Sequence, residues 1–336
     1  MKMLQMLQPK DLQICDVETP QLEAGKALVK IHYCGICGSD LTAYTGKNPT
    51  VRYPINAIGH EGVGVILEIG KNDRGLRKGD LVALEPYIPC LKCHSCAEER
   101  YNNCVDIRVA GVHTGGVMAE TVSFPIHLLH KLPEHMDMLK AALIEPLTIG
   151  LHAAARAKVK KGEHCVIIGA GPIGILAALG VKAKGAFPIL VDIVEERLQL
   201  VRDCGIKTCN SAKTDVFAYL KELTGTLPSA MLECTGAAPI LKTMHDYVRH
   251  GGRIALVGWP KGEVIVNTVR CIQKELDIYP SRNSNKQFPQ AIEMIANGHI
   301  PCEKLITKVI GIDEVQETIL DMIAHPENYM KVVVKL

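Results

Sequence analysis

Bulky aromatic side chains are scarce in this chain. Its 336 residues include one tryptophan and four phenylalanines, which leaves few rigid apolar walls for a pocket. An excess of one charge is also missing. Lys plus Arg number 38 against 36 Asp plus Glu, a net charge of +2. That balance gives no reason for a nucleic-acid or membrane-surface partner, and neither is expected. Long apolar runs are absent too. Met1–Asp11 holds none of signal-peptide length, so a cytoplasmic location is expected. The most apolar stretch, Cys165–Val181, is interrupted by four glycines and a proline and reads as strand, turn and helix rather than a membrane span. No internal repeat and no low-complexity segment is present.

The length suggests about two domains. The first 145 residues or so are β-rich. Ala27–Cys34 alternates, as do Val63, Val65, Leu67 and Ile69, and Leu81–Leu84 and Met118–Phe124 are further short runs. Gly, Pro and Asn clusters separate them, the pattern of a barrel-like β domain. After Pro146 the pattern changes. Cys165–Ile168, Ile189–Val191, Thr208–Cys209, Met231–Glu233, Arg253–Val257 and Leu276–Tyr279 read as strands. Helical stretches such as Pro172–Lys184 and Glu195–Asp203 alternate with the first of them. Strands alternating with helices predict a parallel sheet with right-handed crossovers. The expected boundaries are 1–146, 147–285 and 286–336, the last segment ending in a strand at Lys331–Lys335 that can return to the β-rich part.

Thirteen cysteines is a high count. Without a secretory signal, spaced cysteines bind metal or stay reduced more often than they pair. Cys90, Cys93, Cys96 and Cys104 follow one another at intervals of three, three and eight. Four thiolates so close in a loop suit a closed tetrahedral zinc site, which leaves no position for water and is therefore structural. Cys90-Leu91-Lys92-Cys93-His94 also has the spacing of covalent haem attachment, but that chemistry needs export and leaves Cys96 and Cys104 unexplained. Cys15, Cys34, Cys165, Cys204, Cys209, Cys234, Cys271 and Cys302 are scattered, and most read as small buried apolar residues.

Gly169-Ala170-Gly171-Pro172-Ile173-Gly174 follows an apolar strand and opens a helix. In that setting the glycines are a dinucleotide fingerprint: a tight turn, close approach of a pyrophosphate, close helix packing. The helix N-terminus supplies free N–H groups for the phosphates. Asp192 stands 18 residues past Gly174, at the end of the next strand. A carboxylate there accepts from both ribose hydroxyls and repels a 2′-phosphate, so NAD is expected rather than NADP. Arg197 either flanks the adenine or is a solvated helix residue.

Ligand-type residues recur in Gly35-Ile36-Cys37-Gly38-Ser39-Asp40, Gly59-His60-Glu61-Gly62 and Ile144-Glu145-Pro146-Leu147. Alone, Cys37 reads as a buried thiol. Glu145, a carboxylate in apolar company, needs a partner or a metal. Together they offer one thiolate, one imidazole and one or two carboxylates, the donor types of a catalytic zinc with an open position.

At these residues the chain resembles the zinc-containing medium-chain dehydrogenase/reductase family over essentially its whole length. It is most similar to the sorbitol, threonine and sugar-acid dehydrogenase branch, which has glutamate at the position of Glu145 where alcohol dehydrogenases proper have cysteine. Gly111-Val112-His113, Ala142-Leu143-Ile144-Glu145-Pro146, Ser281-Arg282-Asn283 and Lys304-Leu305-Ile306-Thr307 resemble bacterial enzymes that oxidise hexonates at carbon 5, and starvation-sensing dehydrogenase-like proteins.

The resemblance implies a GroES-like catalytic domain joined to a Rossmann domain. It further implies zinc, two ions per chain, with NAD, a small-molecule substrate and a homo-oligomer, dimer or tetramer. Cys37, His60 and either Glu145 or Glu61 would hold the catalytic zinc, and Ser39 would relay the substrate proton. Thr235, Gly236, Val257 and Gly258 match positions near the nicotinamide, and Ser281 and Arg282, candidates for the cofactor, lie just after the last Rossmann strand, where the family places pocket residues. Arg282 could instead grip a substrate carboxylate. His113 either lines the pocket or serves its own loop. One departure is Thr42, where polyol dehydrogenases often carry a histidine. Three alternatives stand beside this reading: a sorbitol- or threonine-type dehydrogenase, a zinc-free quinone reductase, and an NAD-binding regulator that keeps the fold.

Overall fold

Alternation becomes strand where one face is buried. Val29 and Ile31 are buried while Lys30 between them is exposed. In the computed structural model, which describes residues 1–336, the chain opens with a hairpin, β1 (Lys2–Gln8) and β2 (Asp11–Asp16). It continues through β3 (Lys26–Gly35), β4 (Glu61–Ile69), β5 (Leu81–Leu84), the two-residue strands β6 (Tyr87–Ile88) and β7 (Arg108–Val109), β8 (Thr121–Pro125) and β9 (Leu129–Lys131). A second unit follows, Pro146–Gln287, carrying β10 (His164–Ile168), β11 (Phe187–Asp192), β12 (Lys207–Asn210), β13 (Ala230–Glu233), β14 (Arg253–Leu256) and β15 (Asp277–Pro280). The chain then rejoins the first unit, Met1–Glu145 with Phe288–Leu336, adding β16 (Ile306–Gly311) and β17 (Lys331–Lys335).

In the first unit the sheet order is β16-β17-β3-β4-β5-β9, and β8 also pairs with β3. The late strand β17 is thus interior, between β16 and β3, with Val333 opposite Gly35. On the other side of β3, Gly35 faces Glu61 at the start of β4. Residues from both halves of this unit, among them Val29, Ile31, Ile66, Val332 and Val334, share one core. Alternation alone does not announce β1, β2 or β16.

The second unit is a parallel sheet in the order β12-β11-β10-β13-β14-β15. This is the doubly wound order of a Rossmann domain, which reverses direction beside β10, and ligands bind at that reversal. Strands buried on both faces read as unbroken apolar runs; Val166, Ile167, Ile189, Leu190, Met231 and Leu232 are all fully buried. The helix Val216–Thr224 starts where Asp215 accepts from the N–H groups of Phe217 and Ala218, and stops at left-handed Gly225. A β-rich GroES-like unit and a Rossmann-type unit are both present.

Candidate active site

The four spaced cysteines lie in a lobe closed by the antiparallel pair β6–β7. Their sulfurs all fall within 4.8 Å of one another. A zinc tetrahedron with bonds of about 2.3 Å has edges of about 3.8 Å, and Cys93 Sγ stands 3.5 Å from Cys96 Sγ. The N–H of Cys90 donates to Cys104 Sγ at 3.2 Å. Backbone N–H groups of Val105 and Cys96 hold the Cys93 thiol down, to about 6, while burial and the neighbouring sulfurs push the Cys96 thiol up, to about 12. The donor set fits a closed zinc site. With all four sulfurs converging, no separate pair is left for haem. Of the eight scattered cysteines, only Cys34, Cys165, Cys209 and Cys302 are buried; Cys15, Cys204, Cys234 and Cys271 are partly exposed, so half rather than most fit the buried reading.

A second donor set forms where a helix and a strand begin. Cys37 precedes the helix Gly38–Tyr44 as its N-cap, His60 precedes β4, and Glu61 begins it. A sulfur of Cys37, a ring nitrogen of His60 and a carboxylate oxygen of Glu61 lie within 4.8 Å of one another. His60 and Glu61 are buried and Cys37 half-buried. Thiolate, imidazole and carboxylate with no fourth donor in the group fit a zinc with an open position.

Glu145, in the first turn of the helix Ile144–Arg156, is not part of that mutually close group. It is 6 % exposed, and burial pushes its carboxyl up, to about 7, against the pull of His60. The hydroxyl of Tyr87, itself 3 % exposed, donates to Glu145 Oε1. Each glutamate therefore has a holder. For Glu61 the holder is Lys331, whose Nζ lies 2.7 Å from both carboxylate oxygens and also donates to Ile36 O at 3.1 Å. Gly35 makes room for this pair: a Cβ there would stand 1.9 Å from Glu61 Oε2.

Asp40 is buried as well. It accepts from the Cys37 N–H at 2.8 Å and places its other oxygen 3.9 Å from His60 Nδ1. Ser39 Oγ is buried without a hydrogen-bond partner, as a group awaiting a ligand would be. Thr42 donates its hydroxyl to the Ser39 carbonyl at 2.9 Å, so it serves the helix backbone and does not extend a relay. His113 Nδ1 accepts from the Val109 N–H at 3.0 Å, which ties its own loop.

In the Rossmann unit, Gly169 adopts φ +103°, and a Cβ on Gly174 would stand 1.7 Å from the Gly169 carbonyl oxygen. Those two glycines are required by the turn and by helix packing. Gly171 is the N-cap of the helix Pro172–Ala183, and a Cβ there would meet nothing within 4 Å. The fingerprint thus presents free N–H groups beside open space, the cradle a pyrophosphate needs. Asp192 Oδ1 accepts from the Val194 N–H at 2.9 Å and Oδ2 from the Ala170 N–H at 2.5 Å, tying this carboxylate to the loop itself. Buried Glu233 plays a matching part. It accepts from the N–H groups of Thr235 and Gly236, and its backbone carbonyl accepts from Val257 and Gly258. Arg197 is half-buried on the helix Glu195–Arg202, Ser281 Oγ is buried without a hydrogen-bond partner, and Arg282 is exposed just past β15.

The sequence assigns no site role to Tyr87, Lys331, Asp40 or Glu233. Asp40 had a signal, the third helical position after Cys37, where a carboxylate reaches back to the cap. The others had none.

Two family models match the chain: the alcohol dehydrogenase GroES-like domain over residues 23–134 and the zinc-binding dehydrogenase over residues 172–297. An uncharacterised zinc-type alcohol dehydrogenase-like protein of Haemophilus influenzae is 43% identical over 328 residues, 96% of this chain and 95% of that one. The L-galactonate-5-dehydrogenase of Escherichia coli K12 is 35% identical, covering 91% of each. A crystal structure from Escherichia coli CFT073, described as a short chain alcohol dehydrogenase (rspB) complexed with NADH, superposes with a TM-score of 0.92. It shares 30% identity and covers 100% of this chain and 99% of its own.

Proposed function

The chain belongs to the zinc-binding alcohol dehydrogenases with a GroES-like domain, oxidoreductases acting on CH–OH groups, and from that premise we propose that it is an NAD-linked sugar-acid or polyol dehydrogenase. The reaction is oxidation of a secondary alcohol to the ketone. The first choice of substrate is a hexonate such as L-gulonate or L-galactonate, oxidised at carbon 5. The observation that carries the reading is the convergence of Cys37, His60 and Glu61 beside buried Glu145. The substrate class is supported by the L-galactonate-5-dehydrogenase relative and by glutamate at position 145. It is supported too by the shortage of apolar walls, since each unpaired hydroxyl buried on binding costs about 1–3 kcal/mol.

In this reading Cys37, His60 and Glu61 hold one zinc, and Cys90, Cys93, Cys96 and Cys104 hold a second. Zinc in the open set supplies a Lewis acid that eases ionisation of a hydroxyl presented to it. NAD supplies the hydride acceptor. Ser39 takes the substrate proton. Glu145 orients what occupies the open position, and Asp40 orients Cys37 and His60. Gly169, Gly171, Pro172, Ile173 and Gly174 cradle the pyrophosphate. Asp192 selects NAD, with a preference over NADP of about a hundredfold, and Asp192→Ser should narrow it. Thr235, Gly236, Val257, Gly258 and Ser281 serve the nicotinamide end. The working form is a homo-oligomer, dimer or tetramer, which sedimentation would establish.

The test is NAD reduction across hexonates, neutral polyols and simple primary alcohols. Activity on primary alcohols alone would overturn the substrate class. If Arg282 grips a carboxylate, Arg282→Ala should reduce hexonate turnover by about 1.5–3 kcal/mol more than polyol turnover. Equal losses would assign Arg282 to the cofactor or the fold.

A further inference from the structure

We propose that Tyr87 is a positioning residue for the open metal site, acting through Glu145. This rests on the reading that the Cys37 and His60 set holds zinc. The two side chains lie 58 positions apart in sequence, yet both are buried and joined by the hydrogen bond from the Tyr87 hydroxyl to Glu145 Oε1. Tyr87 does not sit on a mobile loop. It belongs to β6, is paired with Val109 of β7, and lies three residues before Cys90. The ladder that closes the four-cysteine lobe therefore fixes the backbone of the tyrosine, and the bond to Glu145 its hydroxyl.

A phenol supplies one donor and no charge. It occupies one face of Oε1 and sets the rotation of the carboxylate without neutralising it. Glu61 is treated differently: Lys331 grips both its oxygens with a full charge. Partners that orient metal-site groups typically govern metal affinity by about 10–100-fold. Tyr87 holds that place for Glu145, and through it for whatever Glu145 steadies at the open position.

Zinc content of the wild-type protein, two per chain, tests the underlying reading; one zinc would sink both it and the role of Tyr87. With two present, Tyr87→Phe separates the questions. The variant should bind zinc in the open set measurably more weakly in chelator competition, by less than the about 10–100-fold that partners of direct ligands govern, because Glu145 stands outside the Cys37–His60–Glu61 group. It should also shift the visible bands of cobalt placed there, and keep the four-cysteine metal, which reports an intact fold. Its kcat should fall while KM for NAD is unchanged. The double variant Tyr87→Phe/Glu145→Gln removes donor and charge together and should be no weaker a binder than Glu145→Gln alone. Wild-type zinc affinity with an unaltered cobalt spectrum in Tyr87→Phe would overturn the proposal, as would additive losses in the double variant.

Discussion

The two metal-donor sets are built on opposite plans. The cysteine set is local and chemically uniform: four sulfurs between residues 90 and 104, closed off by one two-residue ladder whose strands flank the lobe. The Cys37 set is dispersed and mixed: a helix cap, the residue before a strand, the strand's first residue, and around them Asp40, Tyr87, Glu145 and Lys331. Local uniformity gives a site complete by itself. Dispersal lets each donor be tuned by its own neighbour, which a site that must admit and release a ligand requires.

Exchanging one donor in each set should break the contrast most sharply. Cys37→Ser should lose one zinc and all turnover while its melting temperature stays near wild type. Cys96→Ser should lose the other zinc and unfold at lower temperature. Metal analysis beside melting curves decides it, and matching phenotypes would erase the distinction. Next is Lys331→Met. It leaves the Glu61 carboxylate buried and unpaired, which typically costs about 3–5 kcal/mol. Denaturant unfolding of chelator-treated protein should show that loss, and zinc should reduce it by taking up the carboxylate.

Ser39→Ala should lower turnover by roughly 10²-fold, the usual worth of a positioned acid–base group, with both zinc ions retained. A near-normal rate would remove Ser39 from proton transfer. The smallest effect is kinetic: brief chelation of the intact enzyme should remove zinc from the open set first, so activity falls before the melting temperature does. Simultaneous loss would mean that the two sets are equally exposed.

The same contrast explains what the sequence made legible. Closed sites and glycine loops announce themselves by spacing, because their chemistry is confined to a few consecutive residues. The donors Cys37, His60, Glu61 and Glu145 were also readable, since Cys, His and Glu in Gly- and Pro-flanked segments are conspicuous. Their holders were not. Lys331 stands in an apolar strand, 270 positions from Glu61, and no local pattern links them. Tyr87 reads as an ordinary residue beside the cysteine lobe. Nor does the sequence place Glu61 rather than Glu145 within 4.8 Å of Cys37 and His60, because that depends on what holds each carboxylate. Among the strands, β1 and β16 alternate in burial but not in residue type, and β2 has no buried residue, so the sequence marks none of them.

The position of β17 bears on when this protein can become an enzyme. Gly35 and Glu61 are synthesised early, but the strand that flanks Gly35 and carries Lys331 emerges only after the whole of Pro146–Gln287 has been made. The Rossmann unit has a continuous chain and shorter loops to close, so it can finish first. Until β17 arrives, the Tyr33–Gly35 end of β3 lacks that neighbour and the Glu61 carboxylate lacks Lys331. Pulse-labelled hydrogen exchange during refolding should therefore protect β10 and β13 before β3. Zinc-dependent activity should appear last of all, as a late acquisition of the nearly completed chain.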